Sequence, residues 1–425
     1  MSLKIASSKT VIRTYLTLGL FNTLAASLIW GINTLFLLDA GLSIVEAFAA
    51  NAFFTVGMVL FEIPTGVIAD SKGRRLSYLL GTLTLAITTF LYLVLAWTHA
   101  PFVLWAAVSL FLGLGFTFFS GATDAWMVDA LKFTKYKGQL EAVFGKAQIV
   151  SGIAMLAGSV GGGIIAQFSN LGVPYIVRVG LLVVTFVIAL VFMRDLGFSP
   201  EKGVRYRTAI KSILTASIKY GLAKPAVRWV MLAAPFISGV SIYVFYALQP
   251  YLLELYGDEK AYWVAGLAAA ILAGAQVVGG LLVPTIRRLF KRRTTVLLWG
   301  TGLSAVILFA LGFMPNFYLV ILMVVIWALI GAAIMPVRQA YLNDLIPSKQ
   351  RATVLSFDSL LGSSGGVVSQ PLLGKAADVY SYGASYAIAG IVQLLALPFL
   401  FLANRLREHA DIKKTVADES TPPTL

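Results

Sequence analysis

The sequence predicts an all-α integral membrane protein with twelve transmembrane helices in two six-helix repeats. Three observations predict it. Of its 425 residues, 12% are charged and 59% hydrophobic, whereas a soluble domain carries about 25% charged residues, so no solvated surface can be built. Apolar runs of ~17–25 residues, each able to cross a bilayer, recur over 14–37, 45–69, 76–97, 102–131, 140–168, 172–193, 228–253, 261–286, 294–314, 317–345, 352–377 and 384–404. The one long polar interruption, 194–227, divides these runs six plus six.

The expected divisions are a first bundle over 1–193, a cytoplasmic linker over 194–227, a second bundle over 228–404 and a tail over 405–425. Within the linker, 204–222 places basic and apolar residues at helical spacing, as an amphipathic helix on the membrane face does. Met1–Thr10 is polar and the first run is a full span, so it is expected to be retained. All but five of the 33 lysines and arginines (Lys146, Arg178, Lys260, Arg338 and Lys375) fall on one side if the N-terminus is inside. That distribution predicts cytoplasmic termini and a place in the plasma membrane.

It also explains the net charge of +14 by membrane orientation and contact with lipid, without a nucleic-acid partner. Cysteine is absent and His99 and His409 are the only histidines, so no metal site or thiol chemistry is expected. No phosphate-loop or nucleophile pattern occurs. The sequence therefore predicts a transporter, not an enzyme, with no cofactor and the proton gradient as energy source.

The runs echo one another between halves. Ala125-Trp126-Met127-Val128-Asp129 aligns with Ala340-Tyr341-Leu342-Asn343-Asp344, and Arg74-Arg75 followed by Gly81 aligns with Arg292-Arg293 followed by Gly300. Between the second and third runs stands Gly66-Val67-Ile68-Ala69-Asp70-Ser71-Lys72-Gly73-Arg74-Arg75, one acid and three bases in a tight turn. Gly66, Asp70, Gly73, Arg74 and Arg75 resemble the loop signature of the major facilitator superfamily, and the resemblance covers essentially the whole chain. The fifth run resembles that family's antiporter signature in Gly145, Gly158, Gly162 and Gly163, with Ala154 and Ser159 replacing a glycine and a proline.

Phe61–Gly66, Ser120–Trp126 and Gln339–Thr353 resemble the drug-exporter branch that includes macrolide and tetracycline efflux proteins. The resemblance implies that the turn latches the first half against the eleventh span, with Asp70 near Arg351. The fourth-span arginine of other proton-coupled exporters is absent; Thr117 stands nearest to it.

A charge in hydrocarbon costs about 2.5–3.5 kcal/mol on insertion scales, so each one needs a reason. Glu62, Asp124, Lys146, Arg338 and Asp358 fall at one depth and are expected to form a charge network, with Asp124 first and Glu62 second as proton carriers. An Asp124–Arg338 pair is expected in the outward-facing state. Arg178, alone in the sixth span, is expected to snorkel to the interface.

The family's cavity lies between the first, fourth, seventh and tenth spans. The residues expected there are Asn22, Trp30, Asn33, Phe116, Phe119, Ser120, Thr123, Tyr243, Tyr246, Gln249 and Trp327. Aromatic rings with a few amides and acids suit an amphipathic, cationic compound. The glycines of the fifth run are expected to allow close helix approach. The function expected is proton-coupled efflux of small amphipathic drugs by alternating access, by a monomer. Import or uniport of a polar metabolite and lipid flipping stay open as alternatives.

Overall fold

The computed structural model describes residues 7–119, 121–198, 215, 217–347 and 351–411. Its helices are α1 (Ser8–Trp30), α2 (Asn33–Asp39), α3 (Ile44–Lys72), α4 (Arg74–Trp97), α5 (Phe102–Thr117), α6 (Ala122–Phe133), α7 (Leu140–Phe168) and α8 (Val173–Phe192). They continue as α9 (Pro225–Tyr256), α10 (Tyr262–Leu289), α11 (Arg293–Leu311), α12 (Phe317–Leu345), α13 (Arg351–Val379), α14 (Tyr382–Leu394) and α15 (Leu397–Arg405). No strand occurs among the described residues. Only helices are available to an open chain in lipid, because every backbone donor and acceptor must be satisfied internally.

Among the described residues, ten helical stretches are long and apolar enough to cross a membrane, which makes this a multi-pass membrane protein. α13 is not among the ten; it carries Arg351, Asp358, Lys375 and Asp378 along its length. α10 contributes only the shorter apolar stretch Tyr262–Ala275.

Three of the runs are not single helices. The first breaks at Gly31-Ile32, the fourth between Thr117 and Ala122 and the last at Leu395-Ala396. Gly121 has φ +65°, a left-handed conformation that a glycine takes without strain. Of the expected linker helix, 204–214 and Ala216 lie outside the described residues, and Ser217–Leu222 is a π-helical turn.

Two compact units are present. One comprises Met1–Ile210, Ile242–Ala273 and Val367–Val379; the other comprises Lys211–Ser241, Gly274–Gly366 and Tyr380–Leu425. In the first, Val11, Tyr15, Leu18, Tyr78, Trp126, Met127, Ala130 and Met193 form a buried cluster at the N-terminal end of α1. There α6 is fastened to the segment after α8, as the Trp126 indole donates to the Arg194 carbonyl at 2.7 Å.

α1 and α7 approach closely because α7 presents glycines. A Cβ on Gly162 would collide with the Leu28 carbonyl, and one on Gly158 would sit 3.0 Å from the Leu24 carbonyl oxygen. Gly163 packs on Gly266 of α10, where a Cβ would lie 3.0 Å from the Gly266 Cα. Gly145 has open space around it.

The second unit is built around Val227, Val230, Met231, Leu297, Val337, Tyr341 and Val354, all nearly inaccessible. In it Gly365 of α13 lies against the backbone of Pro235 in α9, and Gly239 in turn lies against Gly365.

Gly162→Ala should lower the thermal midpoint of the detergent-purified protein, as overpacking costs about 1–3 kcal/mol. Gly161→Ala, next to it but facing open space, should leave the midpoint unchanged. Equal midpoints for the two variants would show that α7 does not need its glycine at that contact.

Candidate functional site

The turn between α3 and α4 is a hub of hydrogen bonds. Gly73 has φ +110°, and a Cβ there would also collide with the Asp195 carboxylate, so the position admits only glycine. That close approach lets Asp195 Oδ1 accept from the Arg75 backbone N–H at 2.9 Å, capping the start of α4. A carboxylate satisfies a free helix N–H and complements the positive end of the helix dipole. Burial raises the Asp195 carboxyl above the ordinary aspartate range, against the Arg75 hydrogen bond and the Arg75 and Arg74 charges, which lower it.

Arg74 pairs with Asp129 of α6 and lies over the Phe198 ring at 5.9 Å. Asp70, more than half exposed, stands 3.8 Å from Arg74. The Arg75 guanidinium donates to the Leu190 carbonyl at 2.6 Å. Gly66 has open space around it.

The second unit repeats the arrangement. Arg293 pairs with Asp344 at 2.6 Å, as Arg74 does with Asp129. Asp411, fully buried, accepts from the Thr294 backbone N–H and hydroxyl, each at 2.7 Å, and from Arg292 Nε at 2.7 Å. It caps α11 as Asp195 caps α4. The sequence signal for these caps was an acid following the last helix of each half. Arg351 opens α13 and is partly buried in this unit.

The five charges at one depth have different surroundings. Arg338 of α12 grips Asp358 of α13 with two hydrogen bonds of 2.6 Å and donates to the Val230 carbonyl at 3.3 Å. Both side chains are largely buried, so each satisfies the other's charge. Asp124 stands in the first turn of α6, just past the Gly121 break, and is exposed. Its Oδ1 accepts from the Tyr15 hydroxyl at 2.7 Å, and no cation pairs with it among the described residues. Lys146 is exposed on α7 and Glu62 is half-buried on α3, two residues before Pro64.

At the end of the first unit farthest from Ser8, the break in the first span is bridged by one side chain. Gln249 of α9 donates from Nε2 to the Trp30 carbonyl at 2.7 Å and accepts the Thr34 N–H at 2.9 Å. A broken helix strands backbone donors and acceptors, and a single amide restores one of each. Asn33, beside the break, donates to Asn51 at 2.9 Å and accepts from the Tyr175 hydroxyl at 3.0 Å. Phe48 packs on Tyr243 at 4.9 Å, and Gln370 of α13 donates to Thr55 at 3.2 Å. Asn33, Tyr243 and Gln249, placed by sequence in an open cavity, are all buried in this seal.

Behind it Phe36 stacks on Tyr175 with ring centroids 4.0 Å apart, and Trp105 meets Tyr92 edge-on at 5.1 Å. None of these four rings was singled out by sequence; tyrosines inside the runs were the available signal. Arg178 does not snorkel. It is 1% exposed, in the second turn of α8 on the face turned into this aromatic cluster. Helix phase, not depth, decides which way the side chain points.

Of the other expected cavity residues, Phe116 meets Phe54 edge-on at 5.4 Å and Phe119 meets Tyr78 at 4.8 Å. Asn22, Trp30, Thr123 and Tyr246 are partly buried in the first unit, and Trp327 is buried in the second. Ser120 lies outside the described residues.

A family model described as Major Facilitator Superfamily matches residues 15–291 and 285–424. An MFS-type transporter of Bacillus subtilis (strain 168), YxaM, is 22% identical over 408 residues, 93% of this chain and 94% of that protein. The tetracycline resistance protein, class G, of Vibrio anguillarum is 26% identical over 361 residues, 83% of this chain and 86% of that one. The crystal structure of the nucleoside transporter NupG superposes with a TM-score of 0.76 at 11% identity, covering 92% of this chain and 98% of that one.

Gln249→Leu should leave the Trp30 carbonyl and the Thr34 N–H unpaired, at about 1–3 kcal/mol each. Hydrogen exchange over 30–36 should then accelerate, with Gln249→Glu intermediate because it keeps the acceptor. Exchange unchanged in both variants would remove Gln249 from the seal.

Because the folded chain holds the Asp195 proton more tightly than the unfolded chain, stability should fall as pH rises from the ordinary aspartate range towards the raised value. Asp195→Asn should flatten that slope in a thermal-midpoint series between about pH 4 and 7.

Proposed function

Because the chain belongs to the Major Facilitator Superfamily and is a membrane transporter, we propose that it exports small amphipathic compounds in exchange for protons by alternating access. The observation that carries this reading is the contrast between two carboxylates. Asp358 is held by Arg338 through both oxygens, whereas Asp124 is exposed and held by a phenol. Asp358 is committed to a cation, whereas Asp124 has none among the described residues. Tyr15 gives Asp124 a hydrogen bond that it can exchange for one to water or substrate without stranding a charge.

The likeness to the tetracycline resistance protein supports the export direction and the amphipathic class of substrate. Glu62, on α3, is the second acid in this reading. Arg338 and Asp358 then hold α12 to α13 in the second unit, and Arg74 with Asp129 and Arg293 with Asp344 brace each unit. The phenyl rings of Phe116 and Phe119 and the hydroxyl of Thr123, at and beside the Gly121 break, would meet the apolar and polar parts of the substrate.

The test is a susceptibility panel of amphipathic drugs, tetracycline among them, in a host lacking its own pumps. Expression should raise the tolerated concentration several-fold for some compounds. Asp124→Asn should abolish that protection while the protein remains in the membrane. Everted vesicles should lose substrate-induced proton release with the same variant. No protection against any compound, or full protection by Asp124→Asn, would overturn the proposal.

A further inference from the structure

Arg178 is not used in the proton exchange proposed above, and it is buried in the first unit at 1% exposure. Its Nε and Nη2 are buried without a hydrogen-bond partner among the described residues, and none of the ion pairs there includes it. Its electrostatic neighbours are the phenols of Tyr175 on its own helix, Tyr92 of α4 and Tyr246 of α9, and the Phe116 ring of α5 lies with its centroid 6.0 Å away. Phe36 of α2 closes the wall by stacking on Tyr175.

Ring faces attract a guanidinium, but they leave its N–H donors unpaired, and an arginine cannot shed its charge as a lysine can. Charged side chains at membrane depth persist where they pair with one another or serve a substrate. Arg178 has no such protein partner among the described residues.

We propose that Arg178 is the anchor of a binding site for the carboxylate of an aromatic organic acid. This rests on the transporter reading above and narrows its substrate class from amphipathic compounds in general to those with an acidic end. The planar guanidinium fork matches a carboxylate through two parallel hydrogen bonds. The surrounding Tyr92, Phe116, Tyr175 and Tyr246 supply flat apolar faces for a ring.

The site is also tied to the seal at the far end of the unit. Tyr246 lies on α9 one turn before Gln249, which bridges the break between α1 and α2. Tyr175 lies one turn before Arg178 and donates to Asn33 beside that break. Tyr175 and α9 thus serve both the surroundings of the guanidinium and the hydrogen bonds beside that break.

The test uses the full chain purified in detergent, with no proton gradient. Benzoate and 2-naphthoate are compared with the matched alcohols and amines, by thermal midpoint and by titration calorimetry. The native protein should bind the carboxylates and raise its midpoint, with the alcohols and amines at least about tenfold weaker, the loss of one charge-assisted bidentate pair. Arg178→Met should remove the preference. Arg178→Lys, which keeps the charge without the fork, should retain a weakened one.

Binding is measured without a proton gradient and proton release in everted vesicles, so loss of proton coupling and loss of this site are read separately. Equal binding of carboxylates and alcohols by the native protein would overturn the proposal, even if the Arg178 variants fold poorly. A preference that survives in Arg178→Met would overturn it too.

Discussion

Every backbone N–H and C=O that crosses hydrocarbon has to find its partner within the protein, and the places where a helix stops mid-membrane show how this chain meets that constraint. A continuous helix does so unaided. At Gly31-Ile32 the helix is broken, and the amide of Gln249 takes up a stranded carbonyl and a stranded N–H at once. Such a bridge can be released by moving one side chain, whereas an intact helix cannot open without unwinding. Asn33, beside the break, is held in turn by Asn51 and Tyr175.

The same constraint explains the two charged hubs. α4 and α11 each begin with free N–H groups, and each is capped by an aspartate that follows the last helix of its own half, Asp195 or Asp411. Each helix then sends an arginine to the end of the preceding or following neighbour, Arg74 to Asp129 and Arg293 to Asp344. Each pair braces its own unit. The signature turn is therefore a cap and a brace within its own unit, whatever else it contacts during transport. Its glycine is needed because Asp195 occupies the space where a side chain would be.

Particular residues show how far the sequence could be read. Arg74-Arg75 with Asp129 echoes Arg292-Arg293 with Asp344 in the sequence, because repetition of a charge motif needs only the chain itself to be seen. The equivalent ion pairs, however, are Arg74–Asp129 and Arg293–Asp344, one residue out of that register. Gly158, Gly162 and Gly163 were legible as contact residues for the same reason: their value lies in having no side chain, whatever the neighbour. The burial of Gln249, Asn33 and Tyr243 was not legible. Polar and aromatic residues in a span look the same whether they line a cavity, satisfy a broken helix or pack in a seal. The cage around Arg178 was hidden as well, since Phe36, Tyr92, Trp105 and Tyr175 come from four different spans.

The sequence by itself determined that this is a multispanning helical transporter, because hydrophobic length and a twofold echo of motifs are properties of the linear chain. It also determined which charges demand an explanation, because the cost of a charge in hydrocarbon does not depend on its neighbours. Only the tertiary structure decided what each charge faces. Arg338 meets Asp358, Asp124 meets a phenol, and Arg178 meets aromatic rings without an acid. The physical reason is helix phase: a step of one residue turns a side chain by about 100°, and packing alone fixes whether it then meets lipid, a partner or an unfilled site.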